Sequence, residues 1–248
     1  EWKTTVTASH NANKLLSLSN DLYETSNQID HAYLGEPINL STQRMEVGRS
    51  MGQFYGMKSV GVSENGLWMV ENTKTGEIEE FTDNMLSNDD YRQYLGNALP
   101  KLYLGWNNSF RYKNFDLNIY FYGEAGRKRG ASYYEGWTRM DNGINVSTYA
   151  LKAFNSNNLT ATDPTFVRGG SGWGDYYVKS IYYVRCGSIT LGYKVPISQK
   201  IAKNLRVYVD VNNPFVITNW TGLDPETDNG TYAYPNVTSY NFGVSISF

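Results

Sequence analysis

The 248-residue chain is long enough for one large or two modest domains, and its 22 Lys plus Arg against 24 Asp plus Glu leave a formal net charge of −2. That balance gives no basic footprint, which excludes nucleic acid as a partner. Aromatic residues make up 15% of the chain and charged residues 19%, against about 25% charged in ordinary soluble domains, so the composition suits contact with lipid or sugar. No apolar run approaches the roughly 18 residues of a membrane helix, which removes helical spans but leaves membrane strands open. Cys186 is the single cysteine, too few for an intrachain disulfide framework or a cysteine metal cluster. Glu1 leads straight into strand-like sequence with no basic and apolar leader, so the chain is expected to be processed or a piece of a longer one.

In chain order, residues 2–9 place Trp2, Thr4, Val6 and Ala8 on one face of a strand and Lys3, Thr5, Thr7 and Ser9 on the other. A polar stretch follows, and residues 46–56 begin a run in which Gly48, Gly52, Gly56 and Gly61 mark turns or bulges. Residues 67–70 and 77–81 read as a small hairpin across residues 72–76, and residues 83–95 as a short helix. From Pro100 the pattern sharpens. Leu102, Leu104, Trp106 and Phe110 alternate with Tyr103, Gly105, Asn107 and Ser109; Lys113 and Asn114 turn the chain; then Phe115, Leu117, Ile119 and Phe121 alternate with Asp116, Asn118, Tyr120 and Tyr122. Residues 124–180 have no sustained periodicity and exceed the usual connection length of a compact soluble domain. Ile189, Leu191, Tyr193 and Val195 then alternate with Thr190, Gly192 and Lys194, and Leu205, Val207, Val209 and Val211 with Arg206, Tyr208, Asp210 and Asn212.

The last nine residues, Y-N-F-G-V-S-I-S-F, put Tyr240, Phe242, Val244, Ile246 and Phe248 on one face and Asn241, Gly243, Ser245 and Ser247 on the other. A soluble sandwich would bury the apolar face, whereas a membrane barrel turns it to lipid and lines a wet lumen with the polar one. Arg206 and Asp210 on the second face are costly in a packed core but not beside water. Connections also alternate in length: short, long, short, long, as periplasmic turns and extracellular loops do. The fold class expected is therefore all-β, an antiparallel transmembrane β-barrel with long extracellular loops.

Catalysis has no foothold, since His10 and His31 stand in polar, loop-like surroundings away from any nucleophile motif. No catalytic residue, cofactor or metal is expected. Asp224, Glu226 and Asp228 carry enough oxygen for Ca2+, but their spacing departs from the EF-hand loop, and a turn fixed by Pro225 is the expected role. Ligand or partner contact is expected from Tyr133, Tyr134, Trp137, Trp173, Tyr176, Tyr177 and Trp220, flat rings that stack on sugars or side chains at low entropy cost. Loop packing is their other reading. The Asn-x-Ser/Thr triplets, such as those at Asn158 and Asn229, are expected by chance in an Asn-rich chain.

The pieces E-V-G-R-S-M-G-Q-F-Y-G (residues 46–56), L-P-K-L-Y-L-G-W-N-N-S-F-R-Y-K-N-F-D-L (99–117), Y-V-R-C-G-S-I-T-L-G-Y-K-V-P (183–196), L-R-V-Y-V-D-V-N-N-P-F (205–215), G-L-D-P-E (222–226) and the closing strand occur in order. With H-N-A-N-K-L-L-S-L (10–18), they resemble the C-terminal part of the SusC/RagA family of TonB-dependent outer-membrane transporters from Bacteroidetes. Cys186 and Gly187 depart from the family's bulkier apolar and polar residues. The resemblance implies a barrel of about 22 strands around a plug, of which residues 1–248 supply the last six or so. These begin near Trp2, Leu102, Phe115, Ser188, Leu205 and Tyr240, if residues 15–99 form one extracellular loop. It further implies a bacterial outer-membrane location, uptake of an oligosaccharide or peptide without bond breaking, and a SusD-like surface lipoprotein over the loops. TonB would engage a part of the protein outside this chain, and Tyr240, Phe242, Val244, Ile246 and Phe248 would form the outer-membrane assembly signal. The alternative from the residues alone is a soluble all-β carbohydrate-binding module with exposed aromatics.

Overall fold

The computed structural model describes residues 1–19, 26–33, 40–130, 173–198, 202–227 and 234–248. Six strands form one antiparallel sheet: β1 (Trp2–Ser9), β9 (Leu102–Tyr112), β10 (Phe115–Gly130), β11 (Val178–Lys194), β12 (Asn204–Thr218) and β13 (Ser239–Ser247), in that spatial order. Seven shorter strands lie between β1 and β9. β2 (Gln28–Tyr33), β3 (Ser41–Glu46), β4 (Gln53–Met57) and β8 (Arg92–Asn97) make one sheet, and β5 (Ser59–Val62), β6 (Trp68–Glu71) and β7 (Ile78–Glu80) another. The expected insertion at residues 15–99 is thus built of two small sheets, neither of which joins the large one.

Alternation sets the register of the large sheet. Trp2, Phe110, Leu117, Leu191, Val209 and Phe242 pair across all six strands in a single row. A one-residue slip would turn an entire strand's apolar set to the other face, so each pairing enforces the next. Rings meet along this face: Trp106 with Phe121 at 5.5 Å, Phe121 with Phe215 at 6.3 Å and Phe115 with Tyr193 at 4.7 Å. Both indole N–H groups on it are paired: Trp2 donates to Asn108 Oδ1 at 3.3 Å and Trp106 to Thr4 Oγ1 at 2.9 Å.

Among the described residues nothing covers this aromatic face: Phe242 is 83% exposed, Trp2 65% and Ile217 61%. The buried hydrophobic cluster lies elsewhere. Phe54, Met57, Trp68, Val70, Phe81 and Met85 of the insertion pack with Trp173, Tyr177 and Val178 at the head of β11. Segment 173–175 is stitched to β4 by Met57 N–H to the Trp173 carbonyl at 3.2 Å and Asp175 N–H to the Met57 carbonyl at 2.9 Å.

Several boundaries differ from the sequence reading. Residues 83–95 are not a helix: two 3-10 turns, Asp83–Met85 and Asp89–Tyr91, lead into β8, because Phe81 and Met85 anchor successive short turns to the cluster rather than one continuous face. The hairpin at residues 67–81 is present as β6 and β7. β11 begins at Val178 rather than near Ser188, β10 continues to Gly130 and β12 to Thr218, which shortens both long loops. At 15 to 17 residues, these strands exceed the roughly 9–11 needed to cross a bilayer.

Two bulges hid that continuation. Between Cys186 and Ser188 the register shifts at Gly187, so Tyr182, Val184 and Cys186 share the face of Ile189, Leu191 and Tyr193 despite opposite parity. A second shift falls between Glu124 and Arg127, where Gly126 takes φ +77°, a conformation glycine adopts without steric cost. A third glycine is needed for close approach: a Cβ on Gly123 would run into the Tyr183 carbonyl oxygen, backbone that cannot swing away. Gly123→Ala is expected to destabilise the folded sheet by about 1–3 kcal/mol, read as a lower denaturant midpoint.

Candidate functional site

The polar face of the large sheet gathers the charges. Near its turns, Arg206 bridges to Asp116 at 2.5 Å, and Thr190 donates to Asp210 at 2.6 Å, which also accepts from Asn212 at 2.7 Å. Toward the opposite end β10 supplies Tyr122, Glu124, Arg127 and Arg129, and β11 supplies Tyr183 and Arg185. The chain leaves β12 at Thr218 and folds back onto this patch, bringing Asp224, Pro225 and Glu226 against it.

Both Asp224 oxygens, Glu226 Oε2 and the Pro225 carbonyl all accept hydrogen bonds. Arg185 Nη2 donates to both Asp224 oxygens at 2.9 and 2.8 Å, and its Nε to Glu226 Oε2 at 2.7 Å. Tyr122 O–H also donates to Glu226 Oε2 at 3.0 Å, as does Asn236 Nδ2 at 3.1 Å. Arg127 and Arg129 both donate to the Pro225 carbonyl. Asp224 closes the loop on itself by accepting the N–H groups of Glu226 at 2.8 Å, Thr227 at 3.3 Å and, from the returning limb, Asn236 at 3.3 Å. The Arg185 and Asp224 side chains are 3% and 5% exposed. Burial alone would raise the Asp224 carboxyl, yet the Glu226 N–H and the Arg185 guanidinium hold it below its ordinary range. The arrangement offers donors and fixed charge without a nucleophile, so it can grip a loop or a ligand.

A second charged cluster ties the insertion together. Arg44 bonds Asp30 at 2.6 Å and Asp89 at 2.9 Å, and its guanidinium lies 3.8 Å from the centre of the Tyr55 ring. Arg44 in turn keeps the Asp30 carboxyl below its usual value.

Of the aromatic residues singled out from the sequence, Tyr133, Tyr134 and Trp137 lie outside the described residues, as do Asp228 and the triplets at Asn158 and Asn229. Trp173 and Tyr177 are each 2% exposed and stack at 5.9 Å inside the cluster. Tyr176 packs edge-on against Tyr177. Trp220 is 7% exposed, with the Arg129 guanidinium 5.3 Å over its ring. Trp173, Tyr177 and Trp220 are thus buried among the described residues, and Tyr176 is partly buried. His10 contacts the Lys101 carbonyl through Nδ1, and His31 lies in β2. Asp224 and Glu226, weighed above as Ca2+ ligands or a turn, bind Arg185. The sequence reading missed Arg127, Arg129 and Arg185. Arg127 and Arg129 flank Lys128 in a run whose alternation Gly126 had shifted, and Arg185 alternates with Tyr183 just beyond the Gly187 bulge.

No family model matches the chain. Among curated proteins it is similar to TonB-dependent receptor P3 of Formosa agariphila, 28% identical over 279 residues covering 100% of this chain and 27% of that protein. It is also similar to TonB-dependent receptor SusC of Bacteroides thetaiotaomicron, 30% identical over 223 residues covering 85% of this chain and 21% of SusC. Among solved structures, the RagAB peptide transporter aligns with a TM-score of 0.73 at 19% identity, and the RagAB peptide importer in its closed-closed state with 0.76 at 17%. Each alignment covers 100% of this chain and 27% of the other. The chain therefore spans about a quarter of the length of the relatives it matches, and the solved structures share its fold.

Proposed function

Because the chain belongs to the SusC/RagA family of TonB-dependent receptors, we propose that residues 1–248 are the C-terminal portion of the transmembrane barrel of an outer-membrane nutrient importer. The plug lies elsewhere in the longer protein. The observation that carries this reading is the uncovered aromatic face running in register over six strands, backed by a polar face rich in ion pairs. Lipid satisfies the first and a wet lumen the second. A carbohydrate-binding module would gather exposed rings about a cleft, whereas here they run in rows along an open-edged sheet. Such edges invite further pairing, which the remaining strands of a closed barrel provide.

In this reading the chain breaks no bond. It walls a path for an oligosaccharide or peptide, under a SusD-like surface lipoprotein and with TonB engaging another part of the protein. The insertion and the loops after β10 and β12 stand outside the cell and carry the partner and substrate contacts. Trp173, Tyr176, Tyr177 and Trp220 underpin them, and Tyr133, Tyr134 and Trp137 are the proposed contact residues. Tyr240, Phe242, Val244, Ile246 and Phe248 form the assembly signal. Deleting Phe248 should lower barrel levels in the outer membrane while sparing uptake per assembled barrel, and unchanged levels would remove that role.

Spin labels test the faces directly. Labels at Phe242 or Val244 in the reconstituted full-length transporter should be relaxed by oxygen dissolved in lipid, and labels at Asn241 or Ser245 by a water-soluble nickel chelate. Equal accessibility of the two sets would sink the barrel assignment.

A further inference from the structure

Where β9 begins, β10 runs on past it to pair with β11 alone on that side, and β8 takes over beside it. The mismatch leaves a crevice of about 860 Å3. Among the described residues its lining includes Lys101, Arg127 and Lys128 and no carboxylate, an exception in a chain of net charge −2. Arg127 is committed to Glu124 at 3.4 Å and to the Pro225 carbonyl at 3.3 Å. Lys101 and Lys128 form no ion pair among the described residues. Around them stand the amide side chains of Asn11 and Asn13, which add hydrogen-bond donors to two unspent ammonium groups.

Position decides what this charge meets. Lys128 pairs with Ser180, two residues from Tyr182 and therefore on the same face. Tyr182 lines the crevice while standing 51% exposed at the upper end of the aromatic face, followed by Val184 and, across from it, Ile217. Lys101 immediately precedes Leu102, where the apolar alternation of β9 starts. Lys128 thus caps a strip of exposed apolar side chains, with Lys101 lining the same crevice beside it. A solute moving along the polar face would not meet that strip, whereas an amphiphile anchored beside the wall would meet both parts.

We infer that this crevice binds the phosphate of an outer-leaflet lipid headgroup, with Lys101 and Lys128 as its cationic ligands and Tyr182, Val184 and Ile217 supporting the acyl chains. The inference rests on the barrel reading above. Basic residues at headgroup level each contribute about 1 kcal/mol toward anionic lipid, and phosphate oxygens are strong acceptors for ammonium donors.

The test uses the full-length transporter purified in detergent, with diphosphorylated lipid A and its dephosphorylated form as probes and native mass spectrometry as the readout. Wild type should retain the phosphorylated lipid in preference to the dephosphorylated one. K101Q/K128Q should lose about 30-fold in apparent affinity, while K113Q, at the other end of β9, should lose none. Equal retention by wild type and K101Q/K128Q overturns the inference. So does displacement of the lipid by millimolar inorganic phosphate, which would make this a site for free anions, or by an acidic peptide, which would make it a solute site. Failure of the barrel reading would look different: wild-type protein would stay dispersed without detergent. Failure of this inference alone leaves a transporter that inserts normally.

Discussion

Val209→Arg should destabilise the full-length barrel by about 2–4 kcal/mol in lipid, while Asn118→Arg should cost far less. Val209 stands in the row that runs from Leu117 through Leu191 to Phe242, half-buried between its strand neighbours. A guanidinium there would face hydrocarbon at mid-depth with no carboxylate on its side of the sheet. Asn118 stands on the opposite face, two residues from Asp116 and beside Thr190, where water and carboxylates can accept a cation. Equilibrium refolding from urea into lipid vesicles measures both. Comparable losses at the two positions would mean that the two faces see the same medium, and the barrel assignment would fall with that result.

The strands that could be read from sequence were those whose two faces differ cleanly over a straight run. β1, the lower halves of β10 and β11, and β13 all alternate without a break, and the sheet register follows from that alternation. The upper parts of β10 and β11 were not legible, because a bulge inverts parity there. Apolar residues occupy odd positions from Ile189 to Tyr193 and even ones from Tyr182 to Cys186, so a period-2 reading stops at Ser188. The charged patch went unseen for the same reason: Arg127 and Arg129 face the polar side only once Gly126 is given its positive φ. Composition misjudged exposure as well. A loop rich in Trp and Tyr looks alike whether its rings await a ligand or pack, and the cluster around Met57 and Trp68 takes in Trp173 and Tyr177. Conversely, G-L-D-P-E was recognisable as a turn, but its partner Arg185 lies 39 residues away from Asp224 in the chain, beyond any local pattern.

That distant pairing gives the other large expected effect. Arg185→Met should cost about 3–5 kcal/mol, because it leaves the Asp224 carboxylate buried without its counter-charge. The double variant Arg185→Met, Asp224→Asn should recover part of that loss, since no carboxylate at 224 then remains to be desolvated while the side-chain oxygen still accepts the N–H groups of Glu226 and Thr227. The affected region should be local. The N–H groups of Glu226, Thr227 and Asn236, all donated to Asp224, should exchange with deuterium much faster in Arg185→Met while those of β13 keep their protection. Acid should act in the same direction as the mutation. The folded carboxyl of Asp224 is depressed below its unfolded value of about 3.9, so its contribution is fully present above that value and disappears as pH falls through the folded one. Protection of the three amides should therefore hold from neutral pH to about pH 4 and fall below it, after correction for intrinsic exchange, and in Asp224→Asn it should show no such step. If the single and double variants lose equal stability, or if the three amides stay protected in Arg185→Met, the loop is held by its packing, with Trp220 against Arg129, and the ion pair is incidental to it.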